Sequence, residues 1–181
     1  MTPGRFIAVV GPSGVGKDSV IDGVCAARPD LVRLRRVITR GPDAGGEDHE
    51  AITPALFAAR AAGGDFALHW QAHGLRYAIG RDVHAVLGRG QDVLANLSRS
   101  VLADAAAVFE RLIVLHVTAT PDVLAKRLAV RGRETRPEIA RRLARPAPAL
   151  PDGLSVIEID NSGALAHSVA LALAALYPDR A

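Results

Sequence analysis

Lysine, cysteine and aromatic residues are all scarce in this 181-residue chain, and each scarcity excludes something. With Cys25 as the only cysteine, no intrachain disulfide forms, and a reducing cytoplasm is the expected setting. Cys25 itself reads as a small buried hydrophobe. Aromatics at 4% are too few for a base-stacking platform, and no basic stripe is interleaved with them, so a nucleic-acid partner is not expected. No apolar run is long enough to span a membrane, because His167 and Ser168 interrupt the best candidate. The start of the chain carries no charged-then-apolar leader, so export is not expected either. The six histidines show no metal-ligand spacing, which argues against a zinc site.

The shortage of lysine is informative in both directions. Of 22 basic residues only Lys17 and Lys126 are lysines. Lys17 therefore stands where a fork-shaped guanidinium would not serve. Any single arginine, by contrast, is weak evidence for a site.

What the chain does contain starts at Gly11-Pro12-Ser13-Gly14-Val15-Gly16-Lys17, directly after the apolar run Phe6–Val10. Strand, glycine-rich loop and helix in this order form a phosphate-binding loop. Its N–H groups and the helix N-terminus face an anion, and Lys17 reaches the outer phosphates of a nucleoside triphosphate. After the lysine such loops carry Ser or Thr for Mg²⁺, whereas here Asp18 is followed by Ser19. A net charge of +3 fits a small anionic substrate.

Helical spacing predicts helices over 17–27, from 54 to Gly63-Gly64, and over 82–87, 100–109, 121–129, 135–143 and 162–176. Thr53, Thr120 and Thr135 stand as N-caps, and Thr135 with Glu138 forms a capping box. Strands are expected at 6–10, 31–38, 66–70, 77–79, 92–97, 112–117 and 156–159, with 41–49 a loop and His73-Gly74 a turn. Alternating strands and helices imply an α/β fold of the P-loop NTPase kind: a parallel sheet with helices on both faces. The expected organisation is one domain over 1–181, with a small inserted acceptor lobe at about 41–81 and a lid at about 131–145.

The order of the pieces resembles the nucleoside-monophosphate kinases, and guanylate kinase most closely. The matching residues are Ile38-Thr39-Arg40-Gly41-Pro42, Gly46-Glu47, Trp70, His73-Gly74, Tyr77, Arg127-Leu128, Arg131-Gly132 and Arg142-Leu143. Two departures weigh against guanine. Asp43 replaces the second acceptor arginine, and the segment Val93–Ser98 lacks the base-reading carboxylate, without which a guanine N–H edge is poorly held. Asp18-Ser19, Glu47-Asp48-His49, Trp70–Tyr77, Asn96–Arg99 and Arg131–Glu134 together are similar to the ribose 1,5-bisphosphate phosphokinases of phosphonate degradation. That resemblance implies ATP as phosphoryl donor, ribose 1,5-bisphosphate as acceptor, and ADP and 5-phosphoribosyl 1-diphosphate as products.

For such an acceptor the attacking phosphate oxygen is already ionised, so no general base is required and positioning with charge neutralisation carries catalysis. Gly11 to Lys17 hold the donor phosphates. Thr39 and Arg40 hold the acceptor, with Glu47, His49, Trp70, Tyr77 and Asn96 around it. Arg131, Arg133 and Arg142 close from the lid, Arg142 being favoured over its neighbour Arg141. Several residues keep two readings: Asp18 as Mg²⁺ ligand or helix cap, His49 as sugar contact or solvated loop, Trp70 and Tyr77 as ligand surface or packing, Asn161 as adenine contact or turn residue. Guanylate kinase, a sugar-hydroxyl kinase and a non-catalytic nucleotide-binding scaffold are the competing functions.

Overall fold

A computed structural model describes residues 2–41, 47–132, 135–144 and 149–178. Strand β1 (Phe6–Val10) is wholly buried, as a central parallel strand must be. It lies between β7 (Val93–Asn96) and β8 (Leu112–Thr118), with β2 (Val32–Arg33) beyond β7 and β9 (Ser155–Asp160) beyond β8. All four pairings are parallel.

The period-two alternation of β1 divides the core. Ile7 and Val9 pack against Val20, Ile21 and Val24 of α1 (Lys17–Ala27), Leu124 of α5 (Pro121–Arg131) and Ala172 of α7 (Leu165–Leu176). Phe6, Ala8 and Val10 face Val83 of α3 (Val83–Gly88), Leu102 and Ala105 of α4 (Leu102–Val108), and a second sheet. That sheet runs β4 (His49–Ala51), β3 (Arg36–Ile38), β6 (Leu75–Gly80), β5 (Phe66–Ala72). Helix α2 (Pro54–Ala62) covers it through Phe57, and Thr53 Oγ1 accepts from the Leu56 N–H at 3.2 Å, as an N-cap should. His73 (φ 51°) and Gly74 (φ 75°) make the two-residue turn between β5 and β6, whose paired positive φ values match strand twist.

The expected strand over 31–38 is two strands in two sheets. Val32-Arg33 pairs with β7, whereas Arg36–Ile38 opens the second sheet, so the chain crosses between sheets at Leu34-Arg35. The expected loop over 41–49 ends in a strand, since His49 pairs opposite Arg36; 42–46 lie outside the described residues. Thr120 occupies the N-cap of α5 without a side-chain cap bond, and its N–H donates instead to Ser162 Oγ at 2.9 Å. Helix α7 starts at Leu165 rather than Ser162, because Ser162 folds back on Asp160 through its N–H (2.8 Å) and hydroxyl (2.5 Å). The helix expected from Ser100 opens as a 3-10 turn over Arg99–Val101 before α4. Helix α6 (Arg136–Leu143) carries its capping box, with the Glu138 carboxylate accepting from the Thr135 N–H and hydroxyl at 2.7 Å. Among the described residues no helix is long and apolar enough to cross a membrane.

Candidate active site

The loop between β1 and α1 sits at the carboxyl end of the central strand, where parallel sheets bind ligands. Its glycines answer to close approach. A Cβ on Gly11 would lie 2.3 Å from the Val117 carbonyl oxygen, and one on Gly16 (φ 93°) 2.7 Å from Asn161 Nδ2. Lys17 folds over the loop and donates to the carbonyls of Gly11 (3.0 Å) and Pro12 (3.2 Å). Burial pushes its pKa down to about 8; Asp18 opposes this, and Arg36, Arg99 and Arg131 add to it. Four cations thus converge where phosphates would sit.

Two cavities meet at Lys17. One, of about 370 Å³, is lined by Lys17, Asp18, Ser19, Arg40, Glu47 and Arg131, among others. The other, of about 400 Å³, runs between Lys17, Trp70, Tyr77, Ser98, Arg99 and Arg142. Ser13, Arg36 and Asn96 border both. A larger cavity, of about 670 Å³, lies elsewhere, between β2, β6 and the end of α2, and holds none of the expected site residues. Location against the phosphate loop, not size, identifies the site.

Asn96, at the end of β7, donates through Nδ2 to the Asp18 carboxylate at 3.2 Å. Arg36, 9% exposed, makes a two-pronged pair with Glu47, its Nε 3.1 Å from Oε2. Glu47 is thereby engaged by a cation while it borders the cavity. The Arg36 guanidinium also stands over the Tyr77 ring at 4.9 Å, and Tyr77 stacks on Trp70 at 5.4 Å. Trp70 and Tyr77 therefore both pack and line the cavity.

Other expected residues support the site from outside it. Thr39 Oγ1 accepts from the Arg76 N–H at 2.9 Å, tying β3 toward β6. His49 turns its ring to the Glu47 carbonyl (2.9 Å) and to Arg40 (3.4 Å), and it borders neither cavity. Val15 is buried: its N–H points to Pro12, and its carbonyl accepts from Arg127 (3.1 Å) and Asn161 (2.8 Å). Asn161, 3% exposed, is thus a brace of the loop, and its own carbonyl accepts from Arg127 at 2.8 Å. It borders a third cavity of about 500 Å³ with Gly14, Gly16, Lys126 and Arg127. Arg142 is half-buried on the cavity whereas Arg141 is exposed. Arg133 lies outside the described residues.

Arg36 and Arg99 are the site residues that reading for function missed. Arg99 stood in the quoted Asn96–Arg99 run, but in an arginine-rich chain nothing singled it out.

No protein-family model matches the chain. It is 54% identical over 179 residues to a ribose 1,5-bisphosphate phosphokinase of Ruegeria sp. (strain TM1040), covering 98% of this chain and 94% of the relative. A protein of the same name from Pantoea vagans (strain C9-1) is 51% identical over 167 residues, covering 91% and 93%. Among solved structures, guanylate kinase from Anaplasma phagocytophilum superposes with a TM-score of 0.71 over 99% of this chain and 87% of that one. At 13% identity that likeness speaks for the fold alone.

Proposed function

Since the chain belongs to the ribose 1,5-bisphosphate phosphokinases, we propose that its own residues divide between donor, acceptor and lid as follows. The reaction breaks the bond between the γ-phosphorus of ATP and its bridging oxygen. It forms a new bond from an oxygen of the sugar 1-phosphate, giving ADP and 5-phosphoribosyl 1-diphosphate. Both partners are anionic throughout, so the protein's task is to hold them in line and to offset their repulsion.

The phosphate loop and Lys17 take the donor. Arg40 takes the acceptor: the residue borders the Lys17 cavity, and its buried Nε has no hydrogen-bond partner. The β3–β6 sheet acts as the acceptor lobe, and the segment about 131–145 acts as the lid, bringing Arg131 and Arg142 over the transferring group. Asn161 and Arg127 shape the wall on which adenine rests. The small acceptor, ATP and the lone, half-buried Cys25 fit a cytoplasmic enzyme.

The residues present fit Mg²⁺. Asp18, Ser19 and Asn96 offer hard oxygen donors beside Lys17, and no cluster of three acids, histidines or cysteines forms among the described residues. With Glu47 engaged by Arg36, Asp18 is the carboxylate left to the ion on this cavity, which leaves room for the waters and phosphate oxygens that the ion retains. Bound there, the ion offsets charge on the transferring phosphates, and the Asn96 amide fixes the carboxylate that faces it.

The observation that carries this assignment is the meeting of Lys17, Arg36, Arg40 and Arg131 around one cavity with two fixed carboxylates, Asp18 held by Asn96 and Glu47 held by Arg36. Phosphorus NMR with ATP, Mg²⁺ and ribose 1,5-bisphosphate, beside a GMP control, tests it. A ribosyl diphosphate signal with little GDP is expected. GDP without the sugar diphosphate would overturn the acceptor assignment.

A further inference from the structure

Three buried side-chain atoms among the described residues lack a hydrogen-bond partner: Arg40 Nε, Arg99 Nε and Asn161 Oδ1. All three residues border the cavities around the phosphate loop. Asn161 is accounted for as the loop's brace and Arg40 as the acceptor's counter-charge, which leaves Arg99.

Arg99 is held in an unusual way. Its Nη2 lies 3.2 Å from His116 Nε2, and His116 Nδ1 lies 3.4 Å from Glu158 Oε2. The relay crosses three elements: the 3-10 turn after β7, then β8, then β9. With Nδ1–H directed at Glu158, Nε2 presents a lone pair to the guanidinium. A carboxylate in that place would fix Arg99 and neutralise it. A neutral imidazole fixes it and leaves its charge for the cavity. Among the described residues Arg99 and Glu158 are the charged groups that face His116. Burial, with Arg99 second, lowers the pKa of His116, and Glu158 opposes this; the net effect favours the neutral ring. Burial also lowers that of Arg99, the mark of a cation without a compensating anion.

We infer that Arg99 binds a phosphate of the ribose 1,5-bisphosphate acceptor, with His116 and Glu158 as positioning residues that orient it without cancelling its charge. This rests on the proposed reading of the β3–β6 sheet as the acceptor lobe, since its Trp70 and Tyr77 line the cavity that Arg99 borders. A two-phosphate acceptor needs more counter-charge than a single arginine supplies, and Arg99 lies on the same cavity as Tyr77 and Arg142.

The test combines kinetics with histidine NMR titration on the full chain. R99A is expected to raise the KM for ribose 1,5-bisphosphate at least tenfold and leave that for ATP within twofold. R99K, which keeps the charge and loses the fork, falls between. In the unaltered protein, saturating ribose 1,5-bisphosphate should move the His116 titration upward, because an anion on Arg99 relieves the repulsion it exerts. R99A should abolish that movement, and H116Q should raise the acceptor KM less than R99A does. An acceptor KM within twofold in R99A, or a His116 titration indifferent to the bisphosphate, overturns the inference. R40A separates the two readings. If R40A raises the acceptor KM and R99A does not, only the role of Arg99 fails. If neither does, the assignment of the cavities fails with it.

Discussion

The Asn96 amide and the Asp18 carboxylate, 78 residues apart in the chain, meet at 3.2 Å and join the end of β7 to the first turn of α1. One oxygen of Asp18 is thereby fixed, and the residue borders the Lys17 cavity. D18N should lower turnover by on the order of a hundredfold and raise the Mg²⁺ concentration needed for half-maximal rate. N96A, which frees the carboxylate without removing it, should cost about tenfold. Initial rates across a Mg²⁺ titration decide this: a D18N enzyme with unchanged turnover and unchanged metal requirement would show that Asp18 only caps the helix.

Lys17 gives the site a pH dependence with a definite sign. Its pKa of about 8, set mainly by burial, lies below the ordinary lysine range. Donor phosphates bind the charged form, so ATP affinity should be flat below pH 7 and fall by up to about tenfold per unit above pH 8. Calorimetry in two buffers of different ionisation enthalpy should detect proton uptake on binding near pH 8.5. The same shift means the ligand-free protein gains stability as pH rises from about 8 toward the unfolded lysine value.

G16A tests the fit between loop and brace. Gly16 has φ 93°, and its added Cβ would meet Asn161 Nδ2 at 2.7 Å. Strain of about 1–3 kcal/mol is expected, together with a sharp loss of ATP binding. N161A removes the donor to the Val15 carbonyl, at a cost of about 1–3 kcal/mol. Urea denaturation beside ATP titration checks both; a G16A protein with unaltered ATP affinity would mean the loop tolerates movement.

Far from the site, Asp92 ties the start of β7 to the chain's two ends. It accepts from the Arg5 N–H (2.7 Å), Nε (3.0 Å) and Nη2 (2.6 Å), and from the Tyr177 hydroxyl (2.8 Å). Burial alone would raise its pKa, but these bonds together outweigh it and hold it below the usual carboxylate value. Burial, then Asp92, pushes Tyr177 up to about 12. D92A should cost on the order of 3 kcal/mol at pH 7 by leaving Arg5 half-buried and unpaired. The Asp92 contribution is complete above the unfolded carboxylate value and disappears as pH falls through the lower folded one. The gap between wild type and D92N in urea should therefore narrow below about pH 4.

The lid arginines separate by position. Arg142 borders the cavity and Arg141 is exposed. R142A and R131A should each lower kcat by up to about a thousandfold, the range of arginines that close on a transferring phosphoryl group. R141A should change it by less than about threefold. Single-turnover rates distinguish loss of chemistry from loss of binding. Scattering dimensions that stay equal with and without both substrates would argue against lid closure.

The local features were readable because their causes are local. The helix over 17–27, the Thr53 cap, the Thr135–Glu138 box and the His73-Gly74 turn each depend on residues within a few positions of one another. The strand over 31–38 failed because an apolar run carries no mark of which sheet it joins. Arg33, Arg35 and Arg36 break the alternation, yet only the pairing of Val32 with Val93 and of Arg36 with His49 divides it. Glu47 and His49 read as polar loop residues until Arg36 and Arg40 were brought against them.

By itself the sequence determined the phosphate loop, the alternation of strand and helix, and the lysine that stands at the end of that loop in a chain rich in arginine. Those follow from periodicity, glycine conformation and charge type, which act over short stretches of chain. Only the tertiary structure decided that Asn96 orients Asp18, that Asn161 braces Val15 from 146 residues away, and that Arg99 is held by His116. These are pairings across the carboxyl ends of different strands. Which side chains meet there depends on strand order and register, and no local propensity encodes either.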